Sequence, residues 1–276
     1  MKKLVRIQVS TIYCREMREG RFGASSVERT IMQDRDCSRV PSAYSQLKKT
    51  VGIADCCELL SRAFSFPDEE FARAVADGSF LEDARSCLSD AGGDSASISK
   101  IEAAMGSLQG GDPFQLCDNL RKEYSLLFLV PGAQTPVWPY ESAFLHAASG
   151  KESAPILFRS PISLSVEAEM RACGVRAGND RREPCDSIWS EFAFLSFLYG
   201  FAAQTLFDGD DKRCAELVKK ARDFMRNHGE SWFSAFMLAC SRESRGLGYG
   251  GRYDAIAGAG LELLKPLAAD AGAGRC

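Results

Sequence analysis

The sequence has few of the residues that most chemistry needs. Only two histidines occur, His146 and His228. Neither stands near a serine or cysteine in a nucleophile motif, although sequence leaves a triad assembled in space open. The eleven cysteines, Cys14, Cys37, Cys56, Cys57, Cys87, Cys117, Cys173, Cys185, Cys214, Cys240 and Cys276, never form a C-x-x-C pair. That spacing fits neither a zinc ribbon nor a finger. No catalytic residue, metal or cofactor is therefore expected. A net charge of −3 gives no global case for nucleic acid and leaves only a local basic patch open. The longest apolar stretch, Trp189 to Phe207, is broken by Ser190, Glu191, Ser196 and Gln204. A membrane-spanning helix needs about 20 predominantly apolar residues. This stretch reads instead as a helix in the centre of a bundle, apolar nearly all round, and no stable membrane insertion is expected. Alternating strand patterns of useful length and internal repeats are also missing.

What is present describes an ordinary globular chain. The 276 residues, 45% hydrophobic and 26% charged, suit one or two soluble domains with a sizeable core. The first segment, MKKLVRIQVSTIYCREM, has a basic start but only scattered apolar residues, so it does not read as a secretory signal. The cysteines then read as reduced, small, buried residues of a cytoplasmic protein, with a redox-sensing pair as the alternative. Residues 1–42 are rich in Arg and Lys and poor in apolar periodicity. They read as a weakly ordered N-terminal extension, with Met32 as an alternative start. Residues 43–276 read as one compact all-α domain.

Within that domain, punctuation marks the helices. Leu47, Val51, Ala54 and Leu60 share a face of the first. Pro67-Asp68-Glu69-Glu70 opens a second, with acids at its positive end. Ser79 reads as the cap of a third. Ile98 to Leu108 is another, and Gly110-Gly111-Asp112-Pro113 starts the next, which carries Phe114, Cys117, Leu120, Tyr124, Leu127 and Phe128. Glu141 to Ala148, Leu164 to Cys173, 186–207, 211–227, 231–243 and Tyr253 to Leu267 complete the set. Pro155 to Pro161 is a connector.

Three loops carry candidate chemistry. The stretch Glu123 to Leu145 ends a helix at Pro131-Gly132 and then presents Pro136, Trp138-Pro139-Tyr140 and Glu141. Proline lowers the entropy lost on ordering, so the loop can hold its aromatics for a partner. It can equally tuck them into its own core; pockets and cores share these residue types. Glu183-Pro184-Cys185-Asp186-Ser187 precedes the central helix. Asp186 sits where a helix cap would. Alternatively these acids and Glu141 form a small anionic site that matches guanidinium groups, each charge-assisted bond contributing roughly 1.5–3 kcal/mol. Gly246 to Gly251 formally matches G-x-G-x-x-G, but helical sequence precedes it and no strand can be drawn, so a flexible loop is the default.

Taken together, these segments resemble the TorD/DmsD family of redox-enzyme maturation chaperones, a group that includes the NarJ-like assembly factors. The resemblance rests on Glu123-Tyr124, Leu127-Phe128, Pro131-Gly132 and Pro139-Tyr140-Glu141-Ser142, then on Glu183-Pro184-Cys185-Asp186-Ser187 followed by Glu191-Phe192 and Leu195. A looser match is Phe224-Met225, His228, Trp232 and Phe236. Ser187 stands where the family has histidine. The resemblance implies an all-helical, cytoplasmic monomer or domain-swapped dimer. Its partner would be the precursor of a molybdopterin oxidoreductase, held by its twin-arginine signal peptide until the cofactor is inserted. An assembly factor for a reductase without such a leader is the alternative. By the same resemblance the peptide-binding residues are Glu123, Tyr124, Phe128, Trp138, Pro139, Tyr140, Glu141, Glu183, Pro184, Asp186, Ser187 and Glu191. Glu141, Glu183 and Asp186 would meet the arginines; Phe128, Trp138 and Tyr140 would meet the apolar part.

Overall fold

A computed structural model describes residues 40–150, 153–176 and 183–273. The N-terminal extension up to residue 39 and most of the polar loop 174–184 lie outside these residues. Among the described residues the chain is helical without strands. The helices are α1 (Val40–Phe64), α2 (Glu69–Ala76), α3 (Ser79–Asp90), α4 (Ser95–Met105), α5 (Pro113–Phe128), α6 (Glu141–Ala148), α7 (Pro161–Ala172), α8 (Ile188–Phe207), α9 (Asp211–Phe224), α10 (Glu230–Gly246) and α11 (Arg252–Ala273).

The all-round apolar helix is α8, and it occupies the centre. Its one charged residue, Glu191, is buried with Phe192, Phe194, Leu195, Leu198 and Tyr199. α1 packs along one side of it and α9 along the other. α11 closes the bundle against α1, α4 and α10. Asp270 of α11 accepts a bidentate pair of bonds from Arg222 of α9 at 2.9 and 3.0 Å and a third from the Tyr199 hydroxyl of α8 at 2.9 Å. These bonds, with the burial of Leu267 and Ala271, carry α11 past Pro266 to Ala273, beyond the Leu267 end expected from sequence.

Side-chain caps set most helix starts. Asp68, Asp94, Asp112, Ser160 and Asp210 each accept the backbone N–H two or three residues on, and each such cap contributes about 1 kcal/mol. Two expected caps are corrected. Ser79 does not cap α3: Gly78 holds the cap position, and the Ser79 N–H donates back to Asp77 at 2.9 Å. Asp186 does not cap α8: Ser187 does, its Oγ accepting from Ser190 N at 3.3 Å. The pair expected as separate helices, 211–227 and 231–243, runs on through a π-helical turn, Met225–Gly229. All eight described cysteines are free, six of them buried, with Cys173 and Cys185 half-buried.

Candidate functional site

The two motif loops meet at the head of α8. Tyr140 and Ser187 form an isolated antiparallel bridge. The Glu141 N–H donates to the Asp186 carbonyl at 2.8 Å, and Ile188 N–H to the Pro139 carbonyl at 2.9 Å. The Asp186 carboxylate accepts from Ser142 N–H at 3.0 Å, in the first turn of α6. Asp186 thus serves the helix across the bridge rather than its own. The loop leading there is fixed as well. Val137 N–H bonds to the Leu127 carbonyl at 3.1 Å, and the Thr135 hydroxyl to the Val130 carbonyl at 2.7 Å.

Beneath the bridge lies a buried acid cluster. Glu141, Asp186 and Glu191 are at most 2% exposed. His228, in the π turn, bonds through Nδ1 to Glu141 at 2.7 Å and approaches Glu169 of α7 at 3.5 Å through Nε2. Burial alone would lower the His228 pKa, but the bonds to Glu141 and Glu169 outweigh it and raise it to about 9. His228 is therefore an imidazolium at neutral pH, paired inside the protein. The Trp232 indole N–H donates to Glu191 at 3.2 Å. Burial first, then the charges of Glu141 and Asp186, push the Glu191 carboxyl well above its usual range. The cluster ties α6, α8, α7, α10 and the π turn at one point.

The sequence-derived residues divide into two groups. Glu123 is fully buried and far down α5, where its carboxylate accepts from Arg252 N–H at 3.1 Å, Tyr253 N–H at 2.9 Å and the Ser244 hydroxyl. It is the cap of α11. Those amides are the ones a phosphate would need after the glycine loop, which turns through left-handed backbone at Gly248, Gly250 and Gly251. Tyr124 and Phe128 are core residues that meet each other and Tyr253 edge to face at 4.7–6.0 Å, with Phe128 stacked on Phe236 at 5.8 Å. Pro139, Pro184 and Ser187 are buried in the joint. Trp138, Tyr140 and Glu183 remain half-exposed. Glu183 has no ion-pair partner among the described residues, and burial raises its pKa. Its charge lies close enough to Tyr140 to help burial raise that phenol to about 12.

Sequence reasoning missed two neighbours of this surface. Trp189 meets Tyr140 edge to face at 5.9 Å, and Phe66, 53% exposed, meets Tyr124 at 5.3 Å. Trp189 was readable only as the start of an apolar run, and Phe66 only as the turn before α2. The looser third motif did carry a signal: its His228 and Trp232 are the residues that enter the acid cluster. Against the joint lies a groove lined by Leu157, Phe158, Leu164, Met170, Val175 and Glu183 among others. Among the described residues no cluster of His, Cys, Asp or Glu is arranged to hold a metal, and no helix is long and apolar enough to cross a membrane.

A family model described as the nitrate reductase delta subunit matches residues 99–238, just over half of the chain. The match takes in both motif loops, the π turn and most of α10. The class is that of redox-enzyme maturation chaperones, whose members partner with molybdoenzyme subunits. The chain belongs to the nitrate reductase delta subunit family. No curated protein and no solved structure matches it.

Proposed function

We propose that the protein is a cytoplasmic chaperone that binds the twin-arginine leader of a molybdopterin oxidoreductase precursor, in the manner of the TorD/DmsD chaperones, and holds the precursor until its cofactor is in place. One observation carries the reading. Inside the joint Asp186 is engaged by Ser142, Glu141 by His228 and Glu191 by Trp232, which leaves Glu183 half-buried beside Tyr140 at the edge of a groove lined in part by Leu157, Phe158, Leu164, Met170 and Val175. An arginine needs an acid it can reach, and a leader's apolar run needs apolar surface. Glu183 supplies the first; Tyr140, Trp138 and the groove supply the second. Asp186 and Glu141 act as positioning residues behind them.

The family match favours a second reading equally, a NarJ-like assembly factor whose ligand is an arginine-poor segment of the mature enzyme. Titration calorimetry separates the two. The ligand is a twin-arginine leader peptide of a molybdopterin oxidoreductase, with a twin-lysine peptide as control. Binding near micromolar, about −8 kcal/mol, that weakens on lysine substitution and at least about tenfold in Glu183→Gln supports the leader reading. Absence of leader binding, with binding of the purified mature subunit, supports the assembly factor. Leader binding indifferent to both substitutions refutes the acid assignment.

A further inference from the structure

α1 and α3 touch backbone to backbone at Gly52. A β-carbon there would stand 2.8 Å from the Cys87 carbonyl oxygen and 2.7 Å from the Asp90 carbonyl carbon, so only glycine fits. One turn on from Gly52 in α1 is Cys56, and one turn back from Ala91 at the end of α3 is Cys87. Their sulfurs lie 3.3 Å apart. The Cys56 thiol donates to Cys87 Sγ, and the Cys87 thiol donates to the Ala84 carbonyl at 3.4 Å. We propose that Cys56 and Cys87 are an oxidisable pair, which hydrogen peroxide converts to a disulfide joining α1 to α3. The proposal is independent of what the groove and the joint bind.

The sequence leaves a redox pair open among eleven cysteines, and helix packing selects this one. Sulfurs in a disulfide stand about 2.05 Å apart, so the pair must close by about 1.3 Å. The Gly52 contact supplies the close approach of the two helices that such a bridge needs. Cys57, the next residue, is turned about 100° around α1. Burial decides the oxidant. Cys56 is 0% exposed and Cys87 1%, which shuts out a bulky reagent such as oxidised glutathione. Hydrogen peroxide is little larger than water. Cys87 also lies one turn from the end of α3 at Asp90, and helix ends open before helix centres.

The chemistry balances on one peroxide. One thiol, once ionised, attacks a peroxide oxygen; the O–O bond breaks, and the departing hydroxide leaves as water with the thiol's proton. The sulfenic acid so formed is attacked by the second sulfur. The S–S bond forms, the S–O bond breaks, and a second water carries off the second thiol's proton. Two thiols give up two electrons and two protons, and the peroxide is reduced to two waters. A sulfenic acid with no thiol beside it goes on to the irreversible sulfinic acid, a charged group in a dry core. A partner sulfur already in contact intercepts it, so oxidation fastens α1 to α3 instead of damaging the core.

Mass spectrometry of the full chain tests this. The protein is treated with hydrogen peroxide under native conditions, quenched with catalase, alkylated in denaturant and digested with trypsin without reduction. Peptides 50–62 and 86–100 should appear joined, two hydrogens lighter than their sum, and should separate on reduction with dithiothreitol. The link spans 31 positions, so the melting temperature should rise by at least about 5 °C and return on reduction. Cys57→Ala should keep the link and Cys56→Ala should lose it, compared on variants whose circular dichroism matches the parent. If either variant misfolds, fragmentation of the parent's joined peptides assigns the bond to Cys56 or Cys57. Cys56 and Cys87 recovered as alkylated thiols, or as sulfinic acids, overturn the proposal. A link through Cys57, or a melting temperature that falls when the link forms, overturns it equally.

Discussion

His228 and Glu123 are buried residues whose partners lie far away in the sequence. His228⁺ and Glu141 form a buried pair. Removing one partner of such a pair leaves the other charge uncompensated, a loss of about 3–5 kcal/mol. His228→Gln is expected to lower the melting temperature by roughly 10 °C, at about 2–4 °C per kcal/mol for a chain of this size, as calorimetry would register. A change under about 2 °C would mean the pair contributes nothing net. Glu123 acts at a distance of more than a hundred positions in sequence, through two backbone amides of α11. Glu123→Ala strips that helix of its cap, and hydrogen exchange at Arg252 and Tyr253 should quicken while exchange in α8 stays slow. Protection unchanged at those amides would show that packing alone holds the helix end.

At the level of elements, the start of α8 gives the sharpest test. Ser187 is buried, caps the helix and donates to the Ser190 hydroxyl at 2.7 Å. Ser187→Ala should cost about 1 kcal/mol and leave peptide affinity within about twofold; a large affinity loss would make Ser187 a contact residue. Where local chemistry decides, the sequence was readable. Asp112 and Pro113 announce their helix, and a mostly apolar run announces α8, whereas the Asp94 cap starts α4 at Ser95, three residues before the expected Ile98. Where a distant partner decides, it was not. Nothing near Asp186 says that its carboxylate will serve Ser142, 44 residues away. Nothing near Glu123 says that it ends a helix beginning at Arg252. The π turn is invisible for the same reason: its extra residue swings His228 toward Glu141, and only the folded cluster rewards that. Of the candidate site, the two loops and their meeting were within reach of pattern reading. Which acids end up inside and which at the edge depended on depth, and depth has no local signature.

For the whole molecule, the buried cluster gives stability a definite pH dependence. His228 titrates at 6.5 when unperturbed and at about 9 when folded. Its contribution is complete below about pH 6.5 and is lost as pH rises through 9. Glu191, whose folded pKa is raised well above 4.5, pushes the same way, because a rising pH favours its ionised, unfolded form. Asp270 and Glu169 are lowered and lose their contribution only on the acid side. Urea midpoints should therefore fall steadily from pH 6.5 to 9 and fall less in His228→Gln; a flat profile in the parent protein would contradict the pairing. The capping of α11 by Glu123 has one more consequence, for synthesis. α11 leaves the ribosome after every other described helix, yet it covers faces of α1, α4 and α10 and is seated by an acid made long before it. Until it arrives, the nascent chain keeps a negative charge with no amides to receive and a strip of bare apolar surface. A chain that ends before Arg252 is therefore expected to be cut by a protease faster than the finished chain.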